Sequence, residues 1–364
     1  MDLIPFIDAV GEPGSAMVGG LLLGLVFGVA AQRSAFCTRT AVLDLTRGRT
    51  PAALAIWLAG FGLAMLGVQY LLGTGALVVS ETRFFATAQS LSGAVVGGLL
   101  FGFGMVLARG CVSRLLVLGA SGNLRAVFCI AIIAVVGLAT YDGLLVPLRD
   151  SIAGVANTTV LGGNDLLAHL GLGTGTGMTL GALILAAGLV VSVGAGVSPW
   201  RILGGLAVGA TIVGGWYFTW QLSTQVFEPI QAESLSFIRP LATTGELALG
   251  TGGLIGMDQG LLFGTIVGAF LAAFLSGQFR IAAFSEPGTP HVLRYVAGSV
   301  LMGFGGILAV GCTIGAGFTG GSVLAVTSLV GLASMVGGAA LADRFVDRHA
   351  SLEPALSALP AAAE

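Results

Sequence analysis

Lysine does not occur in this 364-residue chain, so all 15 basic residues are arginines. Charge of either sign is scarce: 9% of residues carry it, against about 25% in an ordinary soluble domain. Hydrophobic residues make up 55% and mean hydropathy is +0.99, which excludes a soluble fold. Only four cysteines and three histidines (His169, His291, His349) occur, and no C-x-x-C spacing links any of them. A disulfide framework, a zinc site and thioredoxin-type chemistry are thereby disfavoured. Haem or metal ligands facing inward from the apolar runs are missing too, so no metal and no cofactor is expected. There is no P-loop, hence no ATPase in the chain itself. No nucleophile–base constellation marks an enzyme, and no nucleic-acid partner is expected. The apolar runs also lack the buried Asp or Glu of a proton relay. The start, MDLIPFIDAVGEPG, has no basic n-region and reads as a short tail outside the membrane.

What is abundant is glycine, 60 residues without a collagen period. In so apolar a chain it serves close helix packing. Apolar runs of about 17–25 residues mark membrane-crossing helices. Nine are found, near residues 16–32, 52–72, 91–108, 126–146, 176–196, 202–222, 259–278, 296–310 and 322–341. The sequence thus predicts an all-α polytopic protein, one integral membrane domain over 1–341 that contacts the lipid bilayer. Residues 342–364 are expected to form a disordered cytoplasmic tail. The long segments 147–175 and 223–258 are expected to cap the outer mouth.

Arginine placement sets the orientation. With the N-terminus outside, twelve arginines fall inside and only Arg83, Arg149 and Arg239 fall outside, a strong positive-inside bias. The C-terminus is then cytoplasmic.

Within the third and eighth runs, GFGMVLARGC (102–111) recurs as GFGGILAVGC (303–312), with seven of ten positions identical 201 residues on. Both copies end an apolar run at Gly-Cys, Gly110-Cys111 and Gly311-Cys312, and a further Gly-rich piece follows each. Such interrupted segments at matching places point to discontinuous helices at a midplane site. The copies lie five runs apart, an odd number, so an inverted pseudo-twofold repeat is expected. Its halves are about 16–146 and 202–341, joined by the run 176–196, and it pairs the first run with the sixth. GLLLGLVFG (20–28) also resembles GLLFGTIVG (260–268), a likeness attributed to shared composition.

Cys37, in QRSAFCTRT, closes the first run in the same way. Neutral thiols are weak S–H donors and soft acceptors, suited to a sulfur-bearing solute. Glycine at a break frees backbone N–H groups that can replace an anion's water. Cys37, Cys111 and Cys312 are therefore the candidate binding residues, supported by Gly110, Gly311, Arg109, Arg114, Thr313 and Asn123. Cys129 reads as a small buried hydrophobe. Arg33, Arg39, Arg109 and Arg114 are either interfacial anchors or attractors for an anion, and Asn123 either caps a helix or lines the path. Arginines are expected along the inner side of the path only.

QRSAFCTRT, the two GFG-x5-GC motifs and GCTIGAGFTGGS together resemble the YeeE/YedE family of bacterial sulfur-compound transporters, best known as thiosulfate uptake proteins. The resemblance covers residues 16–341. It implies a bacterial inner-membrane importer with an hourglass-like path, along which Cys37, Cys111 and Cys312 relay thiosulfate through S–H hydrogen bonds. A small cytoplasmic sulfur-carrier protein is an implied partner. Other sulfur or selenium species, and a membrane thiol redox or persulfide protein, are the alternative readings.

Overall fold

The computed structural model describes residues 3–49, 51–227, 231–250, 255–286 and 288–347. It is helical throughout, with three isolated β-bridges and no strand among the described residues. After a short helix, Ile4–Val10, the main helices are α1 (Glu12–Ser34), α2 (Thr38–Thr46), α3 (Ala52–Gly73), α4 (Leu91–Leu107), α5 (Val112–Ala120) and α6 (Leu124–Tyr141). There follow α7 (Thr174–Gly194), α8 (Pro199–Ser223), α9 (Ile238–Leu249), α10 (Met257–Leu275) and α11 (Val292–Leu308). A π-helix (Thr313–Gly320) leads to α12 (Val326–Ala342), which runs on into a π turn, Asp343–Asp347. Nine stretches among the described residues are long and apolar enough to cross a membrane, as expected. Three of them, 12–46, 91–120 and 292–320, contain a break.

Glycine fixes how the helices meet. A Cβ on Gly20, Gly24 or Gly28 of α1 would stand 2.3 Å from the carbonyl oxygens of Met257, Leu261 and Thr265 on α10. In return, Gly260, Gly264 and Gly268 face the carbonyls of Met17, Leu21 and Leu25 at 2.0–2.2 Å. The two look-alike nonapeptides are thus the two faces of one parallel glycine zipper. Composition alone is not the reason for their likeness: each needs a glycine every fourth residue so that the backbones can touch. The partners of α4 on α11 run the other way, Gly93 beside Leu308, Gly97 beside Gly305 and Gly104 beside Gly298, so the two GFG helices are antiparallel. Valine at Gly24 or Gly264 would drive a side chain into backbone, and is expected to cost about 1–3 kcal/mol at the least. Thermal unfolding in detergent reads this, with Gly175→Val as control because nothing lies within 4 Å of a Cβ there. Equal unfolding temperatures for the two would remove the zipper from the account.

Between α8 and α10 the chain turns into the protein. Residues 232–237 are buried and non-helical, threaded in before α9. Hydrogen bonds hold this non-helical stretch, as burial within a membrane protein demands. The Glu233 N–H donates to Thr219 Oγ1 at 3.1 Å, Ser234 Oγ to the Ile212 carbonyl at 2.7 Å, and Thr319 Oγ1 to the Leu235 carbonyl at 2.6 Å. Beneath it, Phe36, Trp57 and Phe61 pack around Phe318 with ring centroids 5.1–5.5 Å away. Residues 343–347 of the expected tail are helical, and 348–364 lie outside the described residues.

Candidate functional site

Each break is built the same way. A helix ends, a residue two places before the cysteine turns left-handed, and the cysteine becomes the N-cap of the next helix. The left-handed residues are Ala35 (φ 54°), Arg109 (φ 63°) and Val310 (φ 58°). None is glycine, although L-residues hold that conformation at a cost of order 1–3 kcal/mol. The sequence reading put the break on Gly110 and Gly311 themselves, but the reversal falls one residue earlier. Gly311 is needed for close approach, since a Cβ would stand 2.6 Å from the Ala316 nitrogen. Gly110 is less constrained, its Cβ position meeting only the Leu115 side chain from 3.2 Å.

Cys37, Cys111 and Cys312 stand at the N-caps of α2, α5 and the π-helix with extended backbone and make no strong capping hydrogen bond, although Cys37 lies against Thr40 and Cys111 against Ser113 and Arg114 of their own first turns. A thiol is a weaker acceptor than the Ser, Thr, Asn or Asp oxygen usual at an N-cap, so it holds those N–H groups only loosely. The carbonyl ends of the same breaks are met by arginines from elsewhere. Arg201 Nε donates to the Ser34 carbonyl at 3.3 Å, Arg294 Nη2 to Val106 at 3.3 Å, and Arg83 Nη2 to Val310 at 3.4 Å. Cations there suit the negative end of a helix dipole.

All four thiols are free and buried. Cys37 and Cys111 are neighbours close enough to interact, with Thr40 and the charge of Arg114 also acting on Cys37. Ser113 Oγ is 3.5 Å from the Cys111 sulfur. Arg114 Nη1 is buried without a hydrogen-bond partner. Cys312 stands apart from that pair, beside Thr313, whose buried Oγ1 is also without a partner. Cys129 packs in the core near Ser299, away from the breaks.

Two cavities flank the cysteines. The smaller, about 170 Å³, is lined by Arg109, Asn123, Arg125 and Tyr295. Asn123 caps α6, its Oδ1 accepting the Ala126 N–H at 3.2 Å, and it also lines this cavity. Arg125 is held by Glu286 at 3.0 Å.

The larger of the two, about 300 Å³, reaches Val310 and Gly311, next to Cys312. Its wall holds Arg83, Arg149, Arg239 and Ser236, whose buried Oγ has no hydrogen-bond partner. These are the three arginines that the positive-inside count set apart, and they converge from three distant segments on one cavity.

Carboxylates stand behind the arginines instead of lining the wall. Glu233, 4% exposed, accepts from Arg83 at 2.6 Å and from Arg239 at 2.8 Å; Asp258 takes a further bond from Arg239 at 3.0 Å. Glu233 first, then Asp258, raises Arg239 above the usual guanidinium range, whereas burial pulls Arg83 down against the pull of Glu233. Sequence alone could not assign Glu233 here, because it lies in a polar stretch that reads as loop. The Asp343 carboxylate, wholly buried against Arg47 at the end of α12, was missed in the same way.

The family model for sulphur transport matches residues 33–341. The thiosulfate transporter TsuA of Spirochaeta thermophila is 25% identical over 335 residues, covering 85% of this chain and 92% of that protein. TsuA of Escherichia coli is 26% identical over 329 residues, 83% of this chain and 87% of its own length. The probable transporter YedE of Escherichia coli is 36% identical over 92 residues, a quarter of this chain.

Proposed function

The chain belongs to the sulphur transport family, and from that premise we propose that it imports thiosulfate, or a closely related sulfur anion, across a bacterial inner membrane. The observation that carries this reading is the repeated break: three thiols, each at the N-cap of a helix, where a soft, weak acceptor replaces the usual oxygen. An anion brought into hydrocarbon costs many kcal/mol unless donors replace its water. Thiosulfate has oxygens for backbone N–H groups and a soft terminal sulfur for S–H groups. The outer arginines collect the anion, Cys312 receives it beside Gly311, and Cys111 and Cys37 pass it to the inner cavity.

An hourglass-like path through two inverted halves accounts for the layout. In this reading α1, α3, α4 and α6 correspond to α8, α10, α11 and α12, with α7 between the halves. The antiparallel register of α4 on α11 and the matching left-handed residues Arg109 and Val310 support it. By the same correspondence the place of Cys37 falls at Ser236–Phe237, before α9, so the second half offers a hydroxyl where the first has a thiol. The N-terminus lies outside and the C-terminus in the cytoplasm.

Uptake of labelled thiosulfate into vesicles tests the reading, with sulfate, sulfite and selenite as competitors. Uptake should exceed that of vesicles lacking the protein and fall with unlabelled thiosulfate; equal uptake with and without the protein would end it. A second reading, a membrane thiol that carries a persulfide or closes to a disulfide, draws on the closeness of Cys37 and Cys111. A thiolate would take the outer sulfur of thiosulfate and release sulfite, a mass gain of one sulfur atom on peptides bearing those residues; attack by the second thiol would then close the disulfide and expel sulfide, a net loss of two hydrogens.

A further inference from the structure

The inner end of the path carries an acid of its own. Beyond α12 the π turn brings Asp347 against three arginines from two other elements: Arg294 at 2.5 Å, Arg47 at 3.2 Å and Arg39 at 3.4 Å. Asp343, one turn earlier and fully buried, grips Arg47. Three guanidiniums thus meet two carboxylates. Arg39 is the link to the path. It stands two residues beyond Cys37 in the first turn of α2, within electrostatic reach of both the Cys37 sulfur and the Asp347 carboxylate. Arg294 adds a structural tie, since the same guanidinium nitrogen holds the Val106 carbonyl just before the Cys111 break.

Arginines left bare beside the last thiol would trap a departing anion, because a desolvated guanidinium binds oxyanions strongly. Arginines permanently buried in ion pairs would give it no reason to leave the thiol. Asp347 avoids both extremes. It is 17% exposed, so unlike Asp343 it can be displaced toward water.

We infer that Asp347 is a built-in counter-anion of the inner exit, occupying the place on Arg39 and Arg294 that the transported anion takes as it leaves Cys37. The Asp343–Arg47 pair is the fixed anchor of this device and Asp347 is its exchangeable part. The bonds exchanged are ionic hydrogen bonds only; no covalent or redox step is involved. The inference rests on the transport reading for the identity of the anion, but its test does not require any anion to cross the membrane.

The measurement is the alkylation rate of Cys37 in inside-out vesicles of the full chain, quantified on the Cys37 peptide by mass spectrometry. Iodoacetate, an anion, is compared with iodoacetamide, its neutral twin. In Asp347→Asn the iodoacetate rate should rise at least about tenfold, the factor that about 1.4 kcal/mol of lost competition represents. The iodoacetamide rate should change less than about threefold by the same conversion. Asp347→Glu should behave like the parent. Asp347→Ser provides the same test should the asparagine protein fail to fold. An unchanged iodoacetate rate overturns the inference, and so does equal acceleration of both reagents, which would mean that the turn had merely loosened. A vesicle uptake assay run in parallel reports separately on whether the chain carries thiosulfate at all.

Discussion

Alanine at Cys111 is expected to abolish thiosulfate uptake, lowering the initial rate at least about 100-fold, or about 2.7 kcal/mol of barrier. The residue is fully buried at the N-cap of α5, where its sulfur makes no strong capping bond and only a long contact, 3.5 Å, to Ser113 Oγ. Truncating it therefore removes a sulfur without unravelling α5. The stability cost should stay near that of an average substitution, about 1 kcal/mol. A large loss of uptake with a small loss of stability is the signature of a group that handles the anion. Serine is the sharper probe. It keeps an O–H donor in nearly the same place but replaces a soft acceptor with a hard one, so a relay that needs sulfur leaves Cys111→Ser below a tenth of the parent rate. Cys129→Ala, away from the breaks, should leave uptake within about twofold of the parent, inside the spread expected of a neutral change. If Cys111→Ala retains a third of the parent rate, thiols do not form the path.

The parts of this protein that sequence made legible are those that repeat locally. Nine apolar runs, the Gly-Cys interruptions and the oppositely directed GFG helices all follow from hydropathy, spacing and parity, and each corresponds to a described helix or break. The zipper was visible as a likeness but not as a contact, because spacing alone does not say which helix a glycine stripe faces. Left-handed Arg109 and Val310 were hidden for a different reason. Their side chains disfavour that conformation, so only the surrounding packing can impose it. The arginine-lined cavity was the least legible element. Arg83, Arg149 and Arg239 lie in three separate segments, and a topology count treats such residues as a minority to be tolerated. Burying the segment 232–237 accompanies the gathering of that minority on one cavity wall and supplies Glu233 to organise it.

Glutamine at Glu233 should therefore be among the most damaging single changes outside the thiols. The carboxylate is 4% exposed and bridges two arginines, and breaking a buried ion pair from one side costs about 3–5 kcal/mol. The two arginines do not lose equally. Arg239 keeps Asp258 at 3.0 Å, whereas Arg83 keeps only the Phe84 ring, 4.9 Å from its guanidinium carbon, and the Val310 carbonyl. Arg83 is also the guanidinium that burial already disfavours, so the penalty falls where it is least affordable. Thermal unfolding in detergent should show Glu233→Gln well below the parent, with Glu233→Asp between them. The double variant Arg83→Leu with Glu233→Leu separates stability from function. Removing both charges should recover most of the lost stability, since a buried pair replaced by apolar groups is often neutral. It should not recover uptake at low substrate, because the cavity has lost a cation. The thiosulfate concentration for half-maximal uptake should rise about tenfold with the maximal rate little changed, the pattern of an interaction that binds ground and transition states alike. Recovery of both stability and half-saturation in the double variant would mean that Arg83 holds the fold and takes no part in gathering the anion.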